Sequence, residues 1–422
     1  MIQALSGRLP FYYGWIVLAA VAAASISRQG PAVSTLSIFM DPMSHEFGWT
    51  RTEISGAVSL GGLLGALAAP LLGPFLDRNG ARAMLSFAVL ATGIPLLCIS
   101  WVTSLPMFYL LYSFARMNFT GPYDLGIYGA IINWFKRQRA LAISVTTLAL
   151  MSGLVAMPLI AHFSMEQYGW RGAWLFVGAT VMIVGFLPVW LFIVRRPEDL
   201  GLTLDGGAAV APGTDDNAQT AVASADADEP VFTRAQAFRT SAFWMLAAYT
   251  FLIYPIQSGV SLHQAPALLE KGLDPTIAAT AVSTFSLVSA IAGFCYGFWP
   301  RRIPLGYALA LVGLILAAAP ASMYLTQSVA MAYVSAALFG LGIGGLLTML
   351  PIAWADYFGR RSFGAIRGVA LAIQVIAQAT GPLIGGVLRD WSGDYKLSLL
   401  TFAGLGCAGT LAALFAKPPK PC

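Results

Sequence analysis

Apolar residues run along this chain in long blocks, not in the one-on, one-off alternation of a half-exposed strand. A helix that crosses a bilayer needs about 20 apolar residues. Twelve segments reach that length: 12–38, 52–75, 81–103, 106–134, 138–162, 172–194, 241–263, 276–299, 303–326, 329–355, 363–388 and 396–416, numbered here as spans 1 to 12. Most are separated by only a few polar residues. The exception is 203–230, which is rich in Ala, Gly, Asp and Thr and has no aromatic residue. Such a stretch cannot bury enough surface to order itself. The pattern therefore predicts an all-α membrane protein: a six-helix bundle over 1–196, a partly disordered cytoplasmic linker over 197–240, and a second six-helix bundle over 241–422. The bundles repeat weakly. Pro158-Leu159-Ile160 followed by Gly169 is echoed at the same spacing by Pro382-Leu383-Ile384 and Gly393, and Trp134-Phe135 by Tyr357-Phe358.

Composition agrees with a lipid-facing surface. Of 422 residues 58% are hydrophobic and 10% charged, with mean hydropathy +0.73; soluble domains carry roughly 25% charged residues. A net charge of +5 does not imply nucleic acid, because the cations are dispersed among short loops. With the N-terminus in the cytoplasm, 17 Lys/Arg fall on the inner side and five on the outer. That asymmetry predicts both termini inside. Arg8, an apolar run and Ala22-Ala23-Ala24-Ser25 outline a signal peptide, but the apolar pattern resumes through Ile38-Phe39-Met40, which favours a retained span. The cysteines Cys98, Cys295, Cys407 and Cys422 are scattered, with neither metal spacing nor a disulfide framework. No Walker-type loop, metal cluster or Gly-x-Ser-x-Gly elbow occurs, so ATP-driven transport and enzyme catalysis lack support and no cofactor is expected.

The gap between spans 2 and 3 reads Gly73-Pro74-Phe75-Leu76-Asp77-Arg78-Asn79-Gly80-Ala81-Arg82. Charges wedged between spans are costly unless used. The pattern Gly-x-x-x-Asp-Arg-x-Gly-x-Arg resembles the loop between helices 2 and 3 of the major facilitator superfamily of secondary transporters. Phe11-Tyr12-Tyr13-Gly14-Trp15, Trp134-Phe135-Lys136-Arg137-Gln138-Arg139-Ala140-Leu141-Ala142 and Arg195-Arg196-Pro197-Glu198-Asp199-Leu200-Gly201-Leu202 narrow the likeness to its monocarboxylate-transporter and oxalate/formate-antiporter branch. The resemblance implies twelve helices in two pseudo-symmetric bundles, with a substrate site near the midplane and alternating access. It also implies that spans 1, 4, 7 and 10 line the cavity. Two departures stand out. The second copy of the loop motif has decayed to Gly297-Phe298-Trp299-Pro300-Arg301-Arg302, and the span-8 position where relatives often carry a carboxylate-binding Arg is Gly293.

Other groups could take that role. Asp77 lies at the end of span 2, where the helix dipole disfavours a carboxylate, and the start of span 11 near Ser362-Phe363-Gly364 would welcome it. Gly73, Asp77, Arg78, Gly80 and Arg82 are thus the candidate cytoplasmic gate; the plainer alternative is an Asp77 paired with Arg78 or Arg82. Arg28 and Arg116 fall inside spans, where an arginine costs at least ~2.5–3.5 kcal/mol and needs water or a partner. Arg116, Thr120 and Asp124 share a helix face, flanked by Asn118 and Tyr123, with a kink expected at Gly121-Pro122. Arg28, Arg116, Asn118, Tyr123, Tyr254, Gln257, Gln374 and Gln378 are the substrate-binding candidates. Asp124 and His263 are the proton-coupling candidates, although Asp124 could simply neutralise an arginine and His263 could be a satisfied interfacial residue. Trp354 and Tyr357 are expected at the membrane interface.

These features point to a monomeric multi-pass secondary transporter, in a bacterial inner membrane, for a small organic anion such as a monocarboxylate. Its counterpart would be a proton or a counter-anion. Efflux of a hydrophobic or cationic compound, with Asp124 as counter-ion, and a non-transporting metabolite receptor are the alternatives.

Overall fold

The computed structural model describes residues 10–206, 230, 232–299 and 302–419; most of the presumed linker (207–229 and 231), Pro300, Arg301 and Cys422 lie outside them. Among the described residues there is no strand, and eight helices are long and apolar enough to cross a membrane. Two are double-length. α3 (Arg51–Cys98) is interrupted at Gly80, and α6 (Arg139–Thr180), which runs on through a π turn, Val181–Phe186, into α7 (Leu187–Phe192), is interrupted at Gly169. Each folds back on itself. Ser113 and Asn118, a turn and a half apart, donate to the carbonyls of Ala57 (3.0 Å) and Ala91 (3.2 Å), which a straight helix would hold roughly 50 Å apart. Likewise Gly153 lies against Ile26 and Gly185 against Ser27. Each doubled helix therefore supplies two spans.

Two further spans are broken. The segment expected as one helix over 12–38 is α1 (Gly14–Ser27) and α2 (Val33–Phe47). Pro31 has no N–H and biases Gly30 away from the helical region, which ends α1 inside an apolar run. Span 4 is α4 (Leu105–Thr120) and α5 (Pro122–Trp134), parted at Gly121 with φ −104° and ψ −91°. After the short α8 (Arg234–Phe238) come α9 (Ser241–Glu270), α10 (Pro275–Tyr296), α11 (Leu305–Tyr324), α12 (Val329–Phe358), α13 (Phe363–Ser392) and α14 (Lys396–Phe415). Counting both limbs of the doubled helices gives twelve spans.

The chain forms two compact units, Met1–Val231 with Gly359–Ala372, and Phe232–Phe358 with Ile373–Cys422. The first turns of α13 thus belong to the first unit. In that unit the Phe11–Trp15, Trp134–Ala142 and Arg195–Leu202 motifs meet. Tyr12 donates to the Trp134 carbonyl (2.9 Å), Tyr13 to that of Phe192 (2.9 Å), and the Trp134 indole to that of Val194 (3.0 Å). Asp205, within the stretch expected to lack order, caps this cluster by accepting from the amides of Lys136 (3.0 Å) and Gln138 (3.1 Å). In the second unit, Trp354 and Tyr357 are buried rather than interfacial, and the Tyr357 hydroxyl donates to the Ala416 carbonyl at 2.6 Å.

Gly80 (φ 82°, ψ 170°) and Gly169 (φ 68°, ψ 175°) occupy a backbone region essentially closed to other residues. Around Gly169 there is open space, so an added Cβ meets only backbone strain. Gly169→Ala is expected to lower stability by about 1–3 kcal/mol. Gly62→Ala, with equally open surroundings in a helix interior, is expected to be neutral or slightly stabilising. Thermal melting in detergent checks the pair, and an unchanged melting temperature for Gly169→Ala would contradict this account of the turn.

Candidate functional site

The break after α1 leaves backbone carbonyls without helical partners in the middle of an apolar unit. Such groups must be satisfied inside the protein. Thr35 donates to the Gln29 carbonyl (2.9 Å), while Tyr112 (2.9 Å) and the Arg116 Nη1 (3.2 Å) both donate to that of Pro31. Arg116 is brought here by the glycines of α3. A Cβ on Gly61 would meet the Arg116 Cβ at 2.5 Å, and one on Gly65 would collide with the Thr120 hydroxyl. Glycines four apart let the α3 and α4 backbones approach closely.

Arg28 caps the end of α1 and is 8% exposed. Its Nη1 lies 3.5 Å from Asp124 Oδ1. Arg28 and Arg116 share one aromatic ring: their guanidinium carbons lie 4.6 and 4.0 Å from the centre of Phe119. On the other Asp124 oxygen sits Arg367, from the first turns of α13, with Nη2–Oδ2 at 3.2 Å and 1% exposure. Arg367 was not a sequence candidate. It follows Arg360 and Arg361 so closely that it counts with the loop cations; its place four residues into the apolar run Phe363–Val369 is the signal that could have singled it out. Two guanidinium groups thus share one carboxylate, with Arg116 beside them across the Phe119 ring. Arg116 does not pair with Asp124 despite their shared face, because the break at Gly121 intervenes. Among the described residues no carboxylate lies within ion-pair reach of Arg116, and its Nε is buried without a hydrogen bond.

The remaining candidates divide between the units. Asn118 is fully buried and turned to the backbone, donating to Ala91 and Phe114 (2.8 Å). The buried Tyr123 hydroxyl faces Thr92 without a well-formed hydrogen bond. In the second unit Gln378 donates to the Gln257 side chain (3.0 Å), while Tyr254 and Gln374 are buried. His263 is bonded at both nitrogens, to the Tyr395 hydroxyl (3.2 Å) and the Pro382 carbonyl (3.1 Å). A carbonyl can only accept, so Nε2 carries a proton, while the Tyr395 hydroxyl can serve Nδ1 as donor or acceptor.

At the Gly80 turn, Asp77 spans the start of α13. Its Oδ1 accepts from the Gly364 amide (2.8 Å) and its Oδ2 from that of Ala365 (2.9 Å). These are among the N–H groups that a helix leaves unpaired at its positive end. The contact needs glycine on both sides. A Cβ on Gly73 would collide with the Gly364 carbonyl, and one on Gly364 would meet Asp77 Oδ1 at 2.8 Å. Arg195 ties down the turn by donating to the Asp77 carbonyl (2.9 Å). Arg78 is exposed, and Arg82 lies over the Trp190 ring at 4.6 Å.

A helical chain of two repeated bundles, with this glycine-lined carboxylate cap, narrows the field, and comparison with known families closes it. The family model described as Major Facilitator Superfamily matches residues 17–265 and 260–421. The chain belongs to the Major Facilitator Superfamily. Monocarboxylate transporter 12-B of Danio rerio is 23% identical over 405 residues, covering 91% of this chain and 82% of that protein. The oxalate:formate antiporter of Oxalobacter formigenes is 24% identical over 404 residues, covering 91% and 88%. In fold the chain is similar to the proton:xylose symporter XylE, with TM-score 0.71, 16% identity and coverage of 96% and 95%. It is an integral multi-pass membrane protein, as the superfamily's members are.

Within this superfamily member, Gly293 has a packing reason. A Cβ on Gly344 of α12 would meet the Gly293 amide at 2.5 Å, and Thr348 donates to the Gly293 carbonyl at 3.1 Å. α10 and α12 thus touch backbone to backbone at Gly293 and Gly344.

Asp124 should therefore matter for stability as a counter-ion. Asp124→Asn removes the charge that two buried guanidinium groups share, and breaking such a pair costs about 3–5 kcal/mol. Adding Arg367→Gln to Asp124→Asn removes one of those charges and is expected to recover part of the loss. Denaturation of the two single variants and the double variant measures the coupling; strictly additive losses would mean that the two side chains do not interact.

Proposed function

We propose that this protein is a secondary active transporter of a small organic anion, a monocarboxylate in the first instance, working by alternating access in symport with a proton. The observation that carries this reading is Arg116, a half-buried cation that faces a carbonyl and an aromatic ring but, among the described residues, no carboxylate, beside an Arg28 whose carboxylate is shared. A planar guanidinium holds a carboxylate through two parallel hydrogen bonds, and the aromatic face of Phe119 keeps the fork in place. The names of the relatives, monocarboxylate transporter and oxalate:formate antiporter, agree with carboxylate cargo.

Charge balance supports the proton. Asp124 occupies Arg28 and Arg367 as the site stands. A proton on Asp124 frees both, and an entering anion replaces the lost charge, so proton and anion are favoured together. Efflux of a cation is less well supported, because the carboxylate it would need already serves two arginines.

The excess of Lys/Arg on one side supports placing the Gly80 turn and both termini in the cytoplasm. On that assignment Gly73, Asp77 and Gly80 form a latch on α13 that closes the cytoplasmic side, with Arg195 bracing it and Arg78 and Arg82 beside it. The superfamily architecture and compact loops also favour a monomer in a bacterial inner membrane.

Reconstituted vesicles carrying an inward proton gradient test the cargo. Wild-type protein should accumulate labelled monocarboxylates, and Arg116→Gln should lower kcat/KM at least about tenfold, on the scale of a lost charge-assisted hydrogen bond. Undiminished uptake by that variant would refute the assignment, and uptake indifferent to the gradient would refute symport. The latch is tested separately. Asp77→Asn keeps the shape but loses the charge on the α13 terminus, and should raise labelling of single cysteines introduced on the cytoplasmic side of the cavity. Unchanged labelling and unchanged transport would leave Asp77 without a gating role.

A further inference from the structure

Beside the latch, at the same end of the first unit, lies a shallow open recess that includes Asp77, Asn133, Arg195, Arg196, Arg360 and Arg361 in its lining. The dispersed loop arginines of a topology signal need share no cavity, but these four do. They come in two pairs far apart in sequence, one just after α7 and one just before α13.

The charges there do not balance. The Asp77 oxygens are taken by the amides of Gly364 and Ala365, and Glu198 pairs with Arg360 at 2.9 Å. Arg195 bonds the Asp77 carbonyl, which is uncharged. Arg196 has a buried Nε with no hydrogen-bond partner. Arg195 and Arg361 are exposed.

We propose that this recess is a second anion site, distinct from the Arg28–Arg116 region, and that it takes a phosphate group. A carboxylate presents two oxygens in one plane. Guanidinium groups brought to one recess from two chain segments are matched by a tetrahedral anion with three or more acceptor oxygens. The Asn133 amide adds an uncharged donor. A phosphate held there ties the segment after α7 to the segment before α13. It thereby braces the α13 terminus on which Asp77 sits, and its occupancy favours the latched form. The group could be a free phosphate or phosphate ester, or the headgroup of a phospholipid. The inference rests on the cytoplasmic placement proposed above only for which compartment supplies the ligand.

Calorimetry on the full chain in lipid-free detergent, with inorganic phosphate as the probe, tests the site without any transport assay. Saturable binding in the millimolar range or tighter is expected. Arg196→Gln with Arg361→Gln should weaken it at least about tenfold, while Arg116→Gln should leave it unchanged. If the double glutamine variant melts before measurement, Arg196→Lys with Arg361→Lys retains the charge and loses the forks, and should weaken binding by a smaller factor. Absence of saturable binding, or binding that the double variants leave intact, overturns the proposal. So does binding lost in Arg116→Gln, since phosphate would then be occupying the transport region. The carboxylate reading fails independently, in the uptake assay. Nanodiscs separate the sources: a phosphate affinity that falls in phosphatidic acid relative to phosphatidylcholine assigns the headgroup, and an equal affinity assigns the free anion.

Discussion

Everything in the first unit is arranged round the need to keep buried charge in company. An arginine in a span, or a carboxylate in an apolar interior, is tolerable only with a partner. Asp124 meets that need for two arginines at once, Arg28 at 3.5 Å and Arg367 at 3.2 Å. The three groups come from α1, α5 and α13, so one carboxylate organises three separate helices. Phe119 then couples this cluster to Arg116 by offering its ring to both Arg28 and Arg116. The result is a cluster with more cations than anions, held rigidly by backbone carbonyls. Complete neutralisation would have made a sound structural core; the surplus positive charge is what a purely structural cluster does not need.

The glycines make this spacing possible. Backbone contact at Gly61 and Gly65 brings α3 against α4, and Gly153 brings α6 against Ile26. At the Gly80 turn, Gly73 and Gly364 let a carboxylate reach the amides of another helix directly. The repeated glycine after the proline motif marks an equivalent reversal in each half: Gly169 and Gly393 both have positive φ, 68° and 82°. Small residues thus set where helices turn and how near they pass, and the polar groups follow.

Much of this was legible without coordinates because it depends on local rules. Run length and composition gave the twelve spans, Gly121-Pro122 the break in span 4, and a carboxylate facing a helix start a reason for Asp77. The break after α1 was harder. Gly30-Pro31 is a short signal inside a long apolar run, and only the side chains of Tyr112, Arg116 and Thr35, distant in sequence or across the turn, make the exposed carbonyls tolerable. Arg367 escaped for a related reason. A cation near a basic loop is indistinguishable from a topology signal until its partner Asp124, remote in sequence, is seen beside it. Trp354 and Tyr357 misled in the opposite direction, since aromatic residues near a span end suit an interface as well as a core, and here neighbouring helices cover them.

At Gly293, the position that the family resemblance expects to be arginine, two helices pass closely: in the second unit α10 and α12 meet backbone to backbone at Gly293 and Gly344. The uncompensated cations lie in the first unit, at Arg28 and Arg116, and a cation within a span needs anchoring that an apolar helix does not offer. The break after α1 provides it: Pro31 leaves a carbonyl without a helical partner, and that carbonyl takes one nitrogen of Arg116. The broken helix and the surplus cation are therefore linked, because the carbonyl that the break leaves unpaired is the one that anchors Arg116.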